Sequence, residues 1–222
     1  MSEAKVVIAD DHPLFRTALK QAIVECLADN ETLEADSFSD LLKVIEQTPS
    51  LEIVFLDLHM PGNDGFTGLT LLRNHYPDLV VIMVSSDDNA QTMQKAVNFG
   101  AAAFIPKSAD LNVISQAIDT VLEGEVWLPE NIVINEDKQA TQHHQRLAKQ
   151  LSQLTPQQYV VLTLIADGQL NKQIAYDLDI KETTVKKHVS AILLKLEVNN
   201  RTLAGLAYQE LMLTTPEQEL AS

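Results

Sequence analysis

Ile53-Val54-Phe55-Leu56-Asp57-Leu58-His59-Met60-Pro61 is the stretch on which the fold turns. Four apolar residues run straight into a lone carboxylate, and a proline ends the extension four residues later. A short apolar run without alternation suits a strand buried on both faces, as in a parallel sheet covered by helices. Asp57 then stands at the strand's carboxyl end, the edge at which open α/β sheets bind ligands.

Three further runs point at that edge. Lys5-Val6-Val7-Ile8-Ala9 ends in Asp10-Asp11, Val80-Val81-Ile82-Met83-Val84 ends in Ser85-Ser86, and Ala102-Ala103-Phe104-Ile105 ends in Pro106-Lys107. Helical spacing fills the intervals. Leu14, Phe15, Ala18, Leu19, Ala22, Ile23 and Leu27 share one face behind Pro13. Leu41, Leu42 and Ile45 follow a weak strand at Thr32-Leu33-Glu34-Ala35, with Ser39 as the expected helix cap. Leu69 and Leu72, then Met93 and Val97, then Leu111, Ile114, Ile118 and Val121 mark three more helices. Strand and helix alternate five times, which predicts an α/β doubly wound five-stranded parallel sheet.

The charge divides the chain. The net charge of −15 looks wrong for a nucleic-acid binder, but residues 1–130 hold 7 Lys and Arg against 21 Asp and Glu, while residues 131–222 hold 9 against 10. The acidity therefore belongs to the first module. Residues 131–150 are polar and lose periodicity, and read as a linker turning helical toward Leu147. The adjacent His143 and His144 on it do not make a metal site. Cys26, the only cysteine, falls on an apolar helix face and reads as a plain thiol. With no apolar leader and no apolar run of the ~18 residues a span needs, the expected location is cytoplasmic, away from membranes.

The second module, residues 151–215, opens on Leu154-Thr155-Pro156-Gln157-Gln158-Tyr159, a capping box with proline at the first helical position. A short helix near Asn171–Leu178, a turn at Asp179-Ile180, and a helix with Val185, Val189, Ile192 and Leu196 on one face give a separate all-α helix-turn-helix domain. Its outward side presents Lys186, Lys187 and Ser190, suited to the DNA major groove. Thr183, Thr184, Lys172 and Lys195 are placed for phosphate contacts. Leu203, Ala207 and Leu211 on the last helix are candidate dimer contacts.

A single acidic strand end is commonly a solvated loop. Asp10, Asp11, Asp57, Ser85 and Lys107, each directly after a buried strand, are a phosphoryl site. A carboxylate accepts a phosphoryl group only if something offsets its repulsion of the phosphate oxygens, and Mg²⁺ does so. Asp10, Asp11, Asp57 and the backbone carbonyl of His59 are the expected ligands. Lys107 would neutralise the transferred group and the Ser85 hydroxyl would hydrogen-bond it. An aspartyl-phosphate phosphatase of the haloacid dehalogenase type would need a second Asp two residues past the nucleophile, where this chain has His59.

Residues 5–125 resemble the receiver (CheY-like) domain of bacterial two-component response regulators. Asp10-Asp11-His12-Pro13, Asp57-Leu58-His59-Met60-Pro61-Gly62, Ser85 and Phe104-Ile105-Pro106-Lys107-Ser108 carry the resemblance. It implies a phosphoryl group taken by Asp57 from a sensor histidine kinase, a cis peptide at Ile105–Pro106, and a switch aromatic at Phe104. It implies no enzymatic activity beyond Mg²⁺-dependent self-phosphorylation and dephosphorylation at Asp57.

Residues 151–211 resemble the LuxR-type DNA-binding domain. The carriers are Leu154-Thr155-Pro156, Ala166-Asp167-Gly168, Asn171-Lys172-Gln173-Ile174-Ala175 and Thr184-Val185-Lys186-Lys187-His188-Val189, with Lys195-Leu196. Together the modules are similar to the NarL/FixJ class. The resemblance implies phosphorylation-dependent transcription regulation on double-stranded DNA. It also implies a homodimer on a two-part promoter site, with RNA polymerase at hand. A receiver-controlled regulator acting through protein contacts is the alternative. Where that family usually caps the recognition helix with Ser or Thr, this chain has Lys181-Glu182, so Thr183 is the expected cap and the helix would start later.

Overall fold

The computed structural model describes residues 6–26, 32–129, 132 and 138–212. Lys5, Leu27, residues 131 and 133–137 of the expected linker and residues 213–215 lie outside the described residues, as does the side chain of Leu211. The first unit runs β1 (Val6–Ala9), α1 (Pro13–Cys26), β2 (Thr32–Ala35), α2 (Phe38–Gln47), β3 (Ile53–Asp57), α3 (Thr67–His75), β4 (Val80–Ser85), α4 (Ala90–Asn98), β5 (Ala103–Pro106) and α5 (Leu111–Leu122). The five strands are parallel in the order β2-β1-β3-β4-β5.

The pleat sorts the side chains. Val6, Ile8, Ile53, Phe55, Ile82, Val84, Ala103 and Ile105 turn to one face, where Leu19 and Ile23 of α1 meet Ile114 and Ile118 of α5. Val7, Val54, Leu56, Val81, Met83 and Phe104 alternate to the other face, on the side of α2, α3 and α4. Both sets are buried, which is why the strands read as unbroken apolar runs. Trp127, beyond α5, is buried in the α1–α5 side of the core and covers the β5 edge. Its N–H donates to the Ala102 carbonyl at 3.0 Å and its carbonyl accepts from the Phe104 N–H at 3.3 Å.

Two local expectations are corrected. Ser37, not Ser39, caps α2: its backbone is extended and its Oγ accepts from the Asp40 N–H at 3.3 Å. The earlier start brings Phe38 into the core. The Ile105–Pro106 peptide is trans, as are all described peptides. The extended register continues through Pro106, which pairs with Ser85, while the Lys107 N–H donates to the Ser85 carbonyl at 2.7 Å.

Between β3 and α3 a two-rung antiparallel ladder pairs His59 with Asp64 and Met60 with Asn63. It points Asn63, 1 % exposed, back under the site. Asn63 Nδ2 donates to the Asp57 carbonyl at 2.7 Å, and its Oδ1 accepts from the Gly68 N–H at 2.7 Å. A Cβ on Gly68 would stand 2.4 Å from that oxygen and 2.8 Å from the Phe38 ring. Gly68→Ala is therefore expected to destabilise the receiver by about 2 kcal/mol despite alanine's better helix propensity. Urea unfolding of the full chain measures it, and a variant as stable as the parent would contradict this packing.

The second unit comprises α6 (Lys138–Ser152), α7 (Pro156–Ala166), α8 (Asn171–Asp177), α9 (Glu182–Lys195) and α10 (Arg201–Met212), with no strand among its described residues. The division between units falls inside α6, between Thr141 and Gln142. Much of the stretch read as linker is thus helix. Leu147 and Leu151 are buried, and Arg146 and His143 pair with Glu197 and Glu210. Thr155 and Gln158 close the capping box of α7.

The helix-turn-helix is α8 and α9, with Asp179 in the left-handed region (φ 51°) at the turn. The recognition helix does not wait for Thr183. Lys181 occupies the N-cap with no side-chain bond, and its carbonyl accepts from Thr184 and Val185. The fully buried Val185 fixes the phase, and Glu182 puts a carboxylate against the positive end of the helix. Among the described residues, no helix is long and apolar enough to cross a membrane.

Candidate phosphoryl site and DNA-binding surface

The carboxyl ends of β1, β3, β4 and β5 bring Asp10, Asp57, Ser85 and Lys107 to one rim, with Asp11 beside them. Asp10 and Asp57 are buried, while Asp11 faces solvent. The Lys107 ammonium reaches both buried carboxylates, 2.8 Å from Asp57 Oδ2 and 2.8 Å from Asp10 Oδ2. The first contact is a hydrogen bond; the second is off-line for one, so Asp10 Oδ2 is a buried oxygen with charge nearby but no hydrogen-bond donor. Phe15 places its ring 5.3 Å from the same ammonium.

Burial pushes the Asp57 carboxyl above its ordinary range, and the Asp10 charge adds to the rise. Opposing both are the hydrogen bond and charge of Lys107 and the His59 N–H, which donates to Asp57 Oδ1 at 3.3 Å. A buried carboxylate held ionised only by a neighbouring cation is poised to gain from a second one. Ser85 is buried, and its Oγ accepts from the Asp87 N–H at 3.0 Å. Phe104 is fully buried, and the His59 side chain is exposed.

Carboxylate oxygens of Asp10, Asp11 and Asp57 lie within 4.8 Å of one another, together with a nitrogen of His12. Three carboxylates, one with an unsatisfied buried oxygen, are a donor set that fits a hard divalent cation. Sequence reasoning missed three members. His12 lies 2.7 Å from Asp11 Oδ1 through Nδ1. Arg16 donates to the Asp10 carbonyl at 2.6 Å while pairing with Glu34. Asn63 looked like an ordinary turn residue. Only Arg16 left a signal, as a basic residue one helical turn past His12.

On the second unit Lys172, Thr183, Lys186, Lys187 and Ser190 are exposed and Thr184 is half-buried. Lys186 pairs with Glu182 at 3.0 Å, and Ser190 Oγ donates to the Lys186 carbonyl. Lys195 is employed within the module: its ammonium donates to the Gln153 carbonyl and to Gln158 Oε1, each at 2.7 Å. On α10, Leu203 is exposed and Ala207 half-buried, while Ala204 and Tyr208 are buried in the module.

An acidic, lysine-braced pocket on a five-stranded parallel sheet, followed by a helix-turn-helix unit, defines a response regulator. Residues 6–119 match the family model of the response regulator receiver domain, and residues 152–206 match that of bacterial regulatory proteins of the luxR family. The chain belongs to the response regulators of the NarL/FixJ class and is a DNA-binding transcriptional regulator of a two-component system.

Among its relatives is the glycerol metabolism activator of Pseudomonas putida, 42 % identical over 207 residues, spanning 91 % of this chain and 94 % of the relative. The nitrate/nitrite response regulator protein NarL of Escherichia coli K12 is 31 % identical over 205 residues, spanning 91 % and 94 %. A structure of two RcsB dimers bound to two parallel DNAs is similar in fold, with TM-score 0.55 and 23 % identity, covering 95 % of this chain and 100 % of that one.

Proposed function

We propose that Asp57 accepts a phosphoryl group from a phosphohistidine on a sensor kinase, and that this controls binding of the second unit to promoter DNA. The observation that carries the reading is the Lys107 ammonium bridging two buried carboxylates beside Asp11. An oxygen of Asp57 attacks phosphorus, the N–P bond breaks, and the imidazole leaves with its electron pair and takes a proton. Lys107 then offsets charge on the transferred group, and the Ser85 hydroxyl leaves the Asp87 N–H to hydrogen-bond one of its oxygens. Phe104, fully buried on β5, is the aromatic that follows this movement. Asp10, Asp11, Asp57 and the His59 carbonyl would hold Mg²⁺, which would supply the charge that lets two anions meet. The chain's own chemistry stops at self-phosphorylation and hydrolysis at Asp57.

DNA contacts fall to Lys186, Lys187 and Ser190 in the major groove, with Lys172, Thr183 and Thr184 on phosphates. Lys195 is better placed as an internal tie. Two copies pairing through Leu203 and Ala207 would suit a two-part site. The name of the Pseudomonas putida relative supports activation.

A gel shift against the gene's own upstream region, with and without beryllofluoride and Mg²⁺, tests the reading. Tighter binding with beryllofluoride is expected; no DNA binding in either state would favour output through protein contacts. Lys187→Ala is expected to weaken binding to all sequences and lower the salt slope by about 1. Lys195→Ala is expected to leave that slope unchanged and lower the unfolding midpoint of the helical unit.

A further inference from the structure

Ile174 of α8 is fully buried, and Lys172 and Tyr176, two residues to either side, project from the opposite face one turn apart. Tyr176 is 86 % exposed, so its ring covers nothing within the helical unit. With Gln169, Gln173 and Asp177 the two line an open cleft of about 340 Å³. A second observation marks this cleft as a place for a donor. Gln169 Oε1 is buried and, among the described residues, meets no hydrogen-bond donor, although the Gln169 carbonyl accepts one from Arg201.

We propose that this face of α8 is a docking surface for RNA polymerase, entered by an arginine side chain of the polymerase. A guanidinium fits each group present: it stacks on the face of Tyr176, pairs with the Asp177 carboxylate and has donors to spare for Gln169 Oε1. DNA does not suit the same place, because Asp177 and the exposed Asp179 in the next turn repel phosphates. Lys172 marks the boundary. Its ammonium goes to the DNA backbone, which leaves the Tyr176 end of the cleft open beside the duplex; the inference rests on that proposed DNA contact. A transcriptional regulator shares its promoter with RNA polymerase, and this selects the occupant. One arginine in an open cleft binds weakly in free solution, but two proteins on one promoter meet at high effective concentration, so a weak contact suffices.

The test measures how far the full chain, with beryllofluoride and Mg²⁺, tightens the binding of purified bacterial RNA polymerase to a promoter fragment that the chain itself occupies. Tyr176→Ala and Asp177→Asn change exposed side chains and leave the fold intact, and Tyr176→Phe keeps the ring. Tyr176→Ala is expected to weaken polymerase binding to the occupied promoter about fivefold, and Asp177→Asn about threefold. Tyr176→Phe is expected to behave as the parent, and all three variants to keep the parent's DNA affinity within about twofold. Undiminished polymerase binding with Tyr176→Ala overturns the inference, as does a parent that leaves polymerase binding unchanged. Loss of DNA affinity in Tyr176→Ala would put DNA in the cleft, and loss of dimers in sedimentation would put a second copy there; either result overturns it. A parent that binds no DNA in either state would sink the DNA-binding reading first, and this inference with it.

Discussion

Lys107→Met is expected to cost the receiver about 3–5 kcal/mol at neutral pH in metal-free buffer, the range for leaving buried charge uncompensated. The side chain is 12 % exposed, and its ammonium stands 2.8 Å from carboxylates that are 0 % and 3 % exposed. Methionine fills the space of the stem but leaves Asp10 and Asp57 facing each other. Burial already holds the Asp57 carboxyl above its ordinary range with Lys107 present, so removal of the cation raises it further. The loss therefore shrinks as the pH falls and the pair takes up a proton. Mg²⁺ restores part of it by binding only the folded state. Urea midpoints at two pH values, with and without Mg²⁺, give the measurement. A second substitution, Asp57→Asn, in the same chain is expected to return a large part of the loss, since the two residues touch and their effects do not add. A single variant within 1 kcal/mol of the parent would show that Lys107 does not hold the rim together.

What the sequence makes legible follows from how local each signal is. A strand buried on both faces has no polar residue to spare, so the first carboxylate, hydroxyl or ammonium after it marks the strand's end. That is why Asp10, Asp57, Ser85 and Lys107 could be placed on one edge before their distances were known. The capping box at Thr155 and the phase of Val185, Ile192 and Leu196 are equally local.

Choices decided by packing were not legible. Ser37 and Ser39 are equivalent as caps until the burial of Phe38 chooses between them. Thr183 is a better cap than Lys181 in isolation, but starting the helix there would forgo the turn that begins at the Lys181 carbonyl. The polar composition of residues 138–149 hid α6, whose hold comes from ion pairs to α10 and from two leucines one turn apart. Lys195 read as a phosphate ligand because nothing in its own helix shows that Gln153 and Gln158 wait for it across the module.

Asp57→Asn carries the largest effect on function and the opposite effect on stability. An amide has no anionic oxygen to offer phosphorus, and neither Asp10 nor Asp11 replaces it. Asp10 lies at the back of the pocket against Lys107, and Asp11 is engaged by His12. Phos-tag electrophoresis with acetyl phosphate and Mg²⁺ is expected to show a retarded band for the parent and none for the variant. The stability sign follows from linkage: a group whose folded pKa is raised contributes stability fully present below its unfolded pKa and lost as pH climbs through the folded value. Asp57 is such a group, so at neutral pH and without metal it weighs against the folded receiver. The variant is expected to melt higher than the parent in that buffer. Its advantage should fade on acidification into the ordinary carboxylate range. Added Mg²⁺ is expected to reverse the order, because the parent gains a ligand the amide binds poorly. A retarded band that persists in the variant would place the acceptor on another side chain. A variant that melts lower than the parent in metal-free neutral buffer would mean that the Lys107–Asp57 bond outweighs the burial of the charge.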